Sequence, residues 1–287
     1  MTYHRLEIKL QNETADLATA LLWELGTLGI EVNDRDRTGS SCLIAYFEER
    51  ADIDSIVLRL QALDATAVTG CTKIRRGDWP EAWKSYFTTF NLGKHFTVMP
   101  PWELDTQALP PGRIRLAIEP GSAFGTGRHA TTALCLERIE AAMPESRDCL
   151  DLGTGSGILA IAAMKLGARS VIAVDKNREV CENFQKNLEM NGLTGKVPLI
   201  VGTQHALSGL QADIIFANIE LNTLMAAADT LSLLIKRRNG RMILSGFLDE
   251  DIPCILDAFG RRSRRDWVSV SRDGWGAIDM RFPGRKT

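Results

Sequence analysis

The sequence predicts an α/β fold in two parts. A smaller α+β domain precedes a mostly parallel sheet that carries helices on both faces and ends in an antiparallel hairpin. Three observations predict this. The chain has 287 residues, against roughly 150 per typical domain. Residues 1–74 carry strand and helix patterns in the order βαββαβ. From about residue 112 onward the two patterns alternate singly, as repeated βαβ units do.

The elements justify themselves in order. Residues 4–10 alternate as a strand. Leu17, Leu21, Leu25 and Leu28 recur at helical spacing, with Asn12 or Thr14 to cap that helix and Gly29 to stop it. Residues 30–33 form a short strand, 34–41 a polar connection and 42–47 a strong strand. Ile53, Ile56, Val57 and Leu60 make a second helical stripe, and 65–74 return as a strand. This order is that of a ferredoxin-like module, with both helices on one face of an antiparallel sheet. Such modules serve many purposes, so the order speaks to fold alone.

Residues 75–104 crowd Trp79, Trp83, Tyr86, Phe87, Phe90, Phe96 and Trp102 among Pro80, Pro100 and Pro101. A flexible linker would be poor in aromatics, so this reads as an ordered connector whose rings pack on a domain. The expected divisions are 1–74, 75–104 and 105–287. In the last, 113–118 is extended and 131–142 helical. A strand at 149–152, a glycine turn and a helix at 158–166 follow. Segments 170–174, 179–191, 197–201, 212–217, 221–235 and 241–244 continue the alternation. A helix near 249–259 precedes the hairpin, with strands at 267–271 and 277–282 flanking 274–276.

Apolar residues make up 45% and charged residues 24% of the chain, which excludes a disordered or low-complexity protein. No window approaches the ~18 apolar residues of a membrane span, so the expectation is a soluble, cytoplasmic protein without a membrane role. Cys42, Cys71, Cys135, Cys149, Cys181 and Cys254 form no CxxC pair and no Cys/His cluster. They read as reduced thiols, with no metal site. Residues 1–72 hold six Lys+Arg against twelve Asp+Glu, a charge of −6 in a chain of net −2, so the remainder carries +4. An acidic front domain suits a basic partner better than a phosphate backbone.

The strongest chemical signal is Asp151-Leu152-Gly153-Thr154-Gly155-Ser156-Gly157, between an apolar strand and a helix. Glycines there let the chain turn sharply and let a ligand approach the backbone. Asp175 ends the next strand, where its carboxylate can accept hydrogen bonds from vicinal ribose hydroxyls. Together these indicate a nucleoside-type cofactor. The spacing is GxGxG rather than the dinucleotide GxGxxG, and Asp151 would set a negative charge beside a pyrophosphate. The same carboxylate suits the ammonium and sulfonium of S-adenosylmethionine, which favours a methyl donor over NAD.

The segment Pro120-Gly121-Ser122-Ala123-Phe124-Gly125-Thr126-Gly127-Arg128-His129-Ala130-Thr131-Thr132 resembles the signature of the PrmA family, the methyltransferases of ribosomal protein L11. So do Trp79-Pro80-Glu81-Ala82-Trp83-Lys84, Pro100-Pro101-Trp102-Glu103 and Ala217-Asn218-Ile219. The resemblance covers essentially the whole chain. It implies a Rossmann-like class I methyltransferase sheet behind a ferredoxin-like domain that captures the ribosomal protein. It further implies methylation of lysine side chains and of the N-terminal α-amine, with no nucleic acid partner. Carried over residue by residue, the family's S-adenosylmethionine contacts fall on Thr132, Gly153, Asp175 and Asn218. Asp151 and Gly155 join them on the reading of the turn.

Asn218, Thr126 and Phe124 are the candidates for positioning the reacting groups, and no residue stands out as a general base. His129 reads as a structural residue making loop hydrogen bonds. Glu220 and Thr223 depart from the family, which more often has apolar residues and proline there; a carboxylate at a helix start favours the dipole, and one facing the acceptor could orient an ammonium. Three rival classes remain: an RNA methyltransferase, kept open by Lys236-Arg237-Arg238 and Arg261-Arg262-Ser263-Arg264-Arg265, a nicotinamide oxidoreductase, which the glycine spacing disfavours, and a non-catalytic binding module of the same fold, which intact Gly153, Asp175 and Asn218 disfavour. Since no apolar face is unclaimed in the pattern, a monomer is expected.

Overall fold

The computed structural model describes residues 2–35, 40–75, 87–120, 125–142, 147–207, 209–236, 239–260 and 266–282. The chain divides into two units, Met1–Phe87 and Thr88–Thr287. The first contains β1 (Thr2–Gln11), α1 (Ala15–Glu24), β2 (Gly29–Arg35), β3 (Ser40–Glu48), α2 (Ile53–Leu63) and β4 (Val68–Arg75). Its four strands lie in the order β2-β3-β1-β4, each antiparallel to its neighbour. Alternation along β1 sends Leu6, Ile8 and Leu10 into one core with Ala18, Leu22, Ile56 and Leu60 of the two helices.

The first helix stops three residues before the expected Gly29. Gly26 takes the left-handed conformation at φ +80°, Thr27 N donates to Leu22 O and Gly26 N to Trp23 O, the paired bonds of a Schellman end. Gly29 opens β2 instead. At the other end Thr14 does not cap with its side chain; its hydroxyl donates to Asp64 Oδ2. The Asp64 carboxylate also accepts from Gln11 N, Thr66 N and the Thr66 hydroxyl. These donors, Thr66 foremost, hold its carboxyl well below the usual carboxylate range.

The second unit opens with β5 (Phe90–Leu92), β6 (Phe96–Met99) and β7 (Ile114–Ala117), a three-stranded sheet in that order. The segment expected as a connector therefore supplies two strands from Thr88 onward, because Leu92, Phe96 and Val98 join Leu116 of β7 in the core of this unit. Trp79, Trp83 and Tyr86 lie outside the described residues. There follow α3 (Ala130–Ala142), β8 (Asp148–Leu152), α4 (Ile158–Lys165), β9 (Ser170–Asp175), α5 (Val180–Met190), β10 (Leu199–Val201) and β11 (Ile214–Asn218). The chain continues through α6 (Leu221–Leu234), β12 (Gly240–Leu248), α7 (Ile252–Gly260), β13 (Asp266–Arg272) and β14 (Trp275–Phe282).

Seven of these strands form one mixed sheet in the order β10-β9-β8-β11-β12-β14-β13. The first five are mutually parallel, and β14 and β13 add antiparallel pairs. The central strands read as continuous apolar runs because both of their faces are buried. In β11, Ile214 and Phe216 enter the core formed with α3, α4 and α5. Ile215 and Ala217 enter a second core, formed with α6 and α7. On the first face Arg241 and Asp279 form a bidentate pair across β12 and β14, and Arg241 also donates to Ala141 O.

A stripe of three asparagines on α5 and at its end ties down the chain that leaves β7. Asn191 accepts from Ala117 N and donates to Ala117 O. Asn187 accepts from Glu119 N at 2.9 Å and donates to Ser156 O at 2.8 Å, while Asn183 donates to Glu119 O. Asn187 is fully buried, so truncating it strands two backbone groups away from water, each worth about 1–3 kcal/mol. Asn187→Ala should therefore cost about 3 kcal/mol in urea unfolding, and the half-buried Asn183→Ala markedly less. Equal losses would contradict this assignment.

Candidate functional site

A cleft of about 560 Å³ opens where the parallel strands end, as ligand crevices do in open α/β sheets. Each strand delivers residues to it through the loop at its carboxyl end. From β8 come Leu152, Gly153 and Gly155; from β9, Asp175, Lys176 and Asn177; from β10, Gly202, Thr203 and Gln204. Asn218, Ile219, Glu220 and Thr223 follow β11, and Gly246 and Trp275 close the far side.

The turn after β8 is held by backbone bonds. Gly153 N and Thr154 N both donate to Val174 O, at 2.8 and 3.1 Å. Gly155 N donates to Asp175 Oδ2 at 2.9 Å, and Asp175 Oδ1 accepts from Asn177 N. Asp175 thus orders the turn while standing in the cleft. Gly153 has φ +75°, and a Cβ there would sit 2.2 Å from Ile219 Cγ2. Gly246, at φ +96°, would place a Cβ 2.3 Å from Ile219 O. Ile219 therefore lies clamped between two glycines from different strands, with its own N–H donated to Ser245 O. Its neighbours Asn218 and Glu220 have their backbone positions set by that clamp.

Asn218 Nδ2 donates to Thr132 Oγ1 at 3.2 Å. Its Oδ1 is buried and has no hydrogen-bond partner, an unmet acceptor at the cleft wall. Thr132 itself is fully buried and is absent from the wall, so it meets a ligand through Asn218 rather than directly. Beside it Thr131 Oγ1 lies 2.8 Å from His129 Nδ1, and the His129 ring meets Trp275 edge-on at 4.8 Å. The expected loop bonding of His129 is present, and the ring also lines the cleft. Burial holds its pKa below the ordinary value.

Two further expected site residues stand off the cleft wall. Asp151 is 0% exposed and does not line the cleft. It points to the opposite side of β8 from Leu150 and Leu152, because strand side chains alternate. Its Oδ2 accepts from the Thr154 hydroxyl at 2.6 Å, while Oδ1 closes no hydrogen bond. The carboxylate braces the glycine turn from behind. Thr126 is half-buried outside the cleft wall, since the turn there is organised by Gly125, whose carbonyl accepts from Ser156 Oγ at 2.7 Å. Phe124 lies outside the described residues. Sequence reasoning missed Thr203, Gln204, Gly246 and Trp275. The first two follow a parallel strand and were findable by the strand-end rule; Trp275 arrives on an antiparallel strand and carried no such signal.

Among the described residues no group of three or more His, Cys, Asp or Glu side chains is placed to hold a metal ion, and no helix is long and apolar enough to cross a membrane. The glycine cradle, the strand-end acid and the unmet Asn218 acceptor together can seat an extended ligand with a vicinal diol at one end and a hydrogen-bond donor near β11.

Comparison with known proteins finds relatives over nearly the whole chain. A family model described as ribosomal protein L11 methyltransferase (PrmA) matches residues 2–283. A ribosomal protein L11 methyltransferase of Sorangium cellulosum is 35% identical over 309 residues, covering 98% of this chain and 96% of the relative. One from Pseudomonas putida is 30% identical, with 100% of each chain covered. The crystal structure of a ribosomal protein L11 methylase from Lactobacillus delbrueckii subsp. bulgaricus superposes with a TM-score of 0.63 at 32% identity. It covers 69% of this chain and 100% of that one.

The buried Asp151 also makes stability depend on pH. Burial, opposed by the Thr154 hydroxyl and with the nearby Asp175 adding to it, pushes its pKa from 3.8 up to about 7. Between those values the folded chain keeps a proton that the unfolded chain has lost, so this group makes stability fall as pH rises from about 4 to about 7. Asp151→Asn removes that component. The wild-type Tm should therefore drop relative to the variant across this window; parallel Tm curves would contradict the assignment.

Proposed function

The chain belongs to the ribosomal protein L11 methyltransferase (PrmA) family, and from that premise we propose that it transfers methyl groups from S-adenosylmethionine to lysine side chains and the N-terminal α-amine of ribosomal protein L11. It is an enzyme of the class I methyltransferase type. The observation that carries the reading to particular residues is the buried, unpartnered Asn218 Oδ1 at the end of a central strand, oriented by Thr132.

The residues of the cleft fit S-adenosylmethionine. Gly153 and Gly155 leave bare backbone where the amino-acid portion would lie, Asp175 offers a carboxylate for the ribose, and Asn218 offers an acceptor for an ammonium. Asp151, close behind the turn, favours a cation above it, and a cation in turn favours its ionised form. When bound, the cofactor supplies an activated methyl group on a sulfonium.

The chain's own tasks are alignment and exclusion of water. Asn218 sits at the point where the two substrates meet, and the Ile219 clamp fixes its backbone position. The acceptor amine must be neutral to react, whereas free lysine has a pKa of roughly 10.4. An apolar wall of Ile219 and Trp275 and a nearby positive charge lower that value without a dedicated base. Thr126 and Phe124, in the loop before α3, remain candidates for positioning the acceptor.

The first unit, with its βαββαβ order and its antiparallel β2-β3-β1-β4 sheet, supports a ferredoxin-like reading. Its net charge of −6 over residues 1–72 supports docking of a basic protein by that unit. In this reading a single copy of the chain works in the cytoplasm, where ribosomal proteins are made, and takes protein rather than nucleic acid as acceptor.

Purified enzyme with methyl-tritiated cofactor, offered L11 and ribosomal RNA separately, should label lysines and the N-terminus of the protein. Label on RNA alone would overturn the acceptor. Asn218→Ala should lower kcat/KM at least about tenfold, of the order expected when a buried hydrogen bond worth roughly 1–3 kcal/mol is lost. Thr132→Val, which only releases Asn218, should lower it less. Unchanged catalytic efficiency and cofactor affinity in Asn218→Ala would remove that residue from the site.

A further inference from the structure

We infer that Glu220 is the residue that receives the positive charge of the acceptor amine at the mouth of the cleft, an inference that rests on the methyl-transfer reading above. The cleft has two chemically distinct halves. On one side the β8 turn and Asp175 offer bare backbone and a ribose-binding carboxylate. On the other lie Glu220, Thr223, Gly246 and Trp275, delivered by β11, α6, β12 and β14. The strands carrying Asp175 and Trp275 are four places apart in the sheet, roughly 19 Å at the usual spacing. A cofactor anchored at Asp175 and reaching Asn218 leaves the second half for the acceptor.

Asp175 and Glu220 are the two carboxylates that line the cleft among the described residues. Asp175 is engaged by Gly155 N and Asn177 N. Glu220 stands at the N-cap of α6, where its carbonyl accepts from Leu224 N but its side chain makes no cap bond. No ion pair or hydrogen bond engages that carboxylate among the described residues. It is exposed, so a substrate cation can reach it without a large desolvation cost. Half-buried Trp275 supplies an apolar flank for the methylenes of a lysine and a π-face for its ammonium.

The sign of the effect on reactivity is opposite to that on capture. A carboxylate beside an ammonium stabilises the charged form and raises the amine's pKa, and the amine must surrender a proton to solvent before it can react. Glu220 therefore recruits the acceptor and resists its deprotonation. This sets it apart from a general base, whose loss would lower turnover.

The test compares wild type with Glu220→Gln, an isosteric change whose fold is checked by Tm. At low ionic strength KM for L11 should rise about threefold to fivefold, the range of an exposed ion pair. The difference should collapse near 1 M salt, where the Debye length is about 3 Å. The rising limb of the kcat–pH profile should move to lower pH, and the Kd of S-adenosylmethionine should hold. Unchanged KM and pH profile in a variant whose wild type methylates L11 would overturn the inference and leave the reading intact, as would weakened cofactor binding. A wild type that does not methylate L11 would instead overturn the reading. Calorimetric titration of both full-length proteins with a lysine peptide amide and its norleucine counterpart would then decide: a lysine preference lost in Glu220→Gln supports the inference, and equal behaviour overturns it.

Discussion

The site depends on a single steric constraint, the absence of side chains at Gly153 and Gly246 where Ile219 passes between them. Both glycines adopt a backbone conformation that L side chains rarely enter, and both would clash with Ile219 if they carried a Cβ. The isoleucine is therefore seated by two strands on either side of its own, β8 and β12. Because Asn218 and Glu220 flank it, the backbone positions from which both side chains start follow from this packing. The half-buried Asn218 is held by Thr132 from beneath.

The electrostatics of the cleft are arranged in depth. Asp151 lies fully buried behind the turn, Asp175 stands at its edge and is engaged by two backbone amides, and Glu220 is exposed at the rim. The same functional group is thereby given three roles by its surroundings: a brace whose ionisation burial opposes, a hydrogen-bonded anchor, and a solvated charge. A site that handles cations needs negative charge, but buried and unpaired charge is costly. Distributing it this way keeps each carboxylate in a state its local environment tolerates.

Much of this arrangement was legible in the sequence. The strand–turn–helix around Gly153 and the acid ending β9 are local features whose spacing carries their geometry, and continuous apolar runs marked strands buried on both faces. Two kinds of information were not local. The direction of Asp151 depends on which face of β8 meets α3 and α4, and nothing in the turn itself encodes that. Trp275 enters the cleft through the pairing of β14 with β12, a long-range register. The helix stop at Gly26 rather than Gly29 turned on which of two nearby glycines completes a pair of backbone bonds. The aromatic segment from Thr88 onward read as a connector because its strands are only three and four residues long, too short for alternation to show.

The asparagines at positions 183, 187 and 191 have a consequence beyond tying down one segment. Among the described residues the strand β7 pairs with β6 on one side only, which leaves on its other side an edge of the kind that templates aggregation. Two residues along a strand advance about 6.7 Å and four along a helix about 6.0 Å. Amides spaced by one helical turn therefore keep step with alternate peptide groups of an extended chain. Here they accept from the N–H groups of Ala117 and Glu119 and donate to their carbonyls, completing the edge as a neighbouring strand would. A helix thereby serves as a surrogate strand.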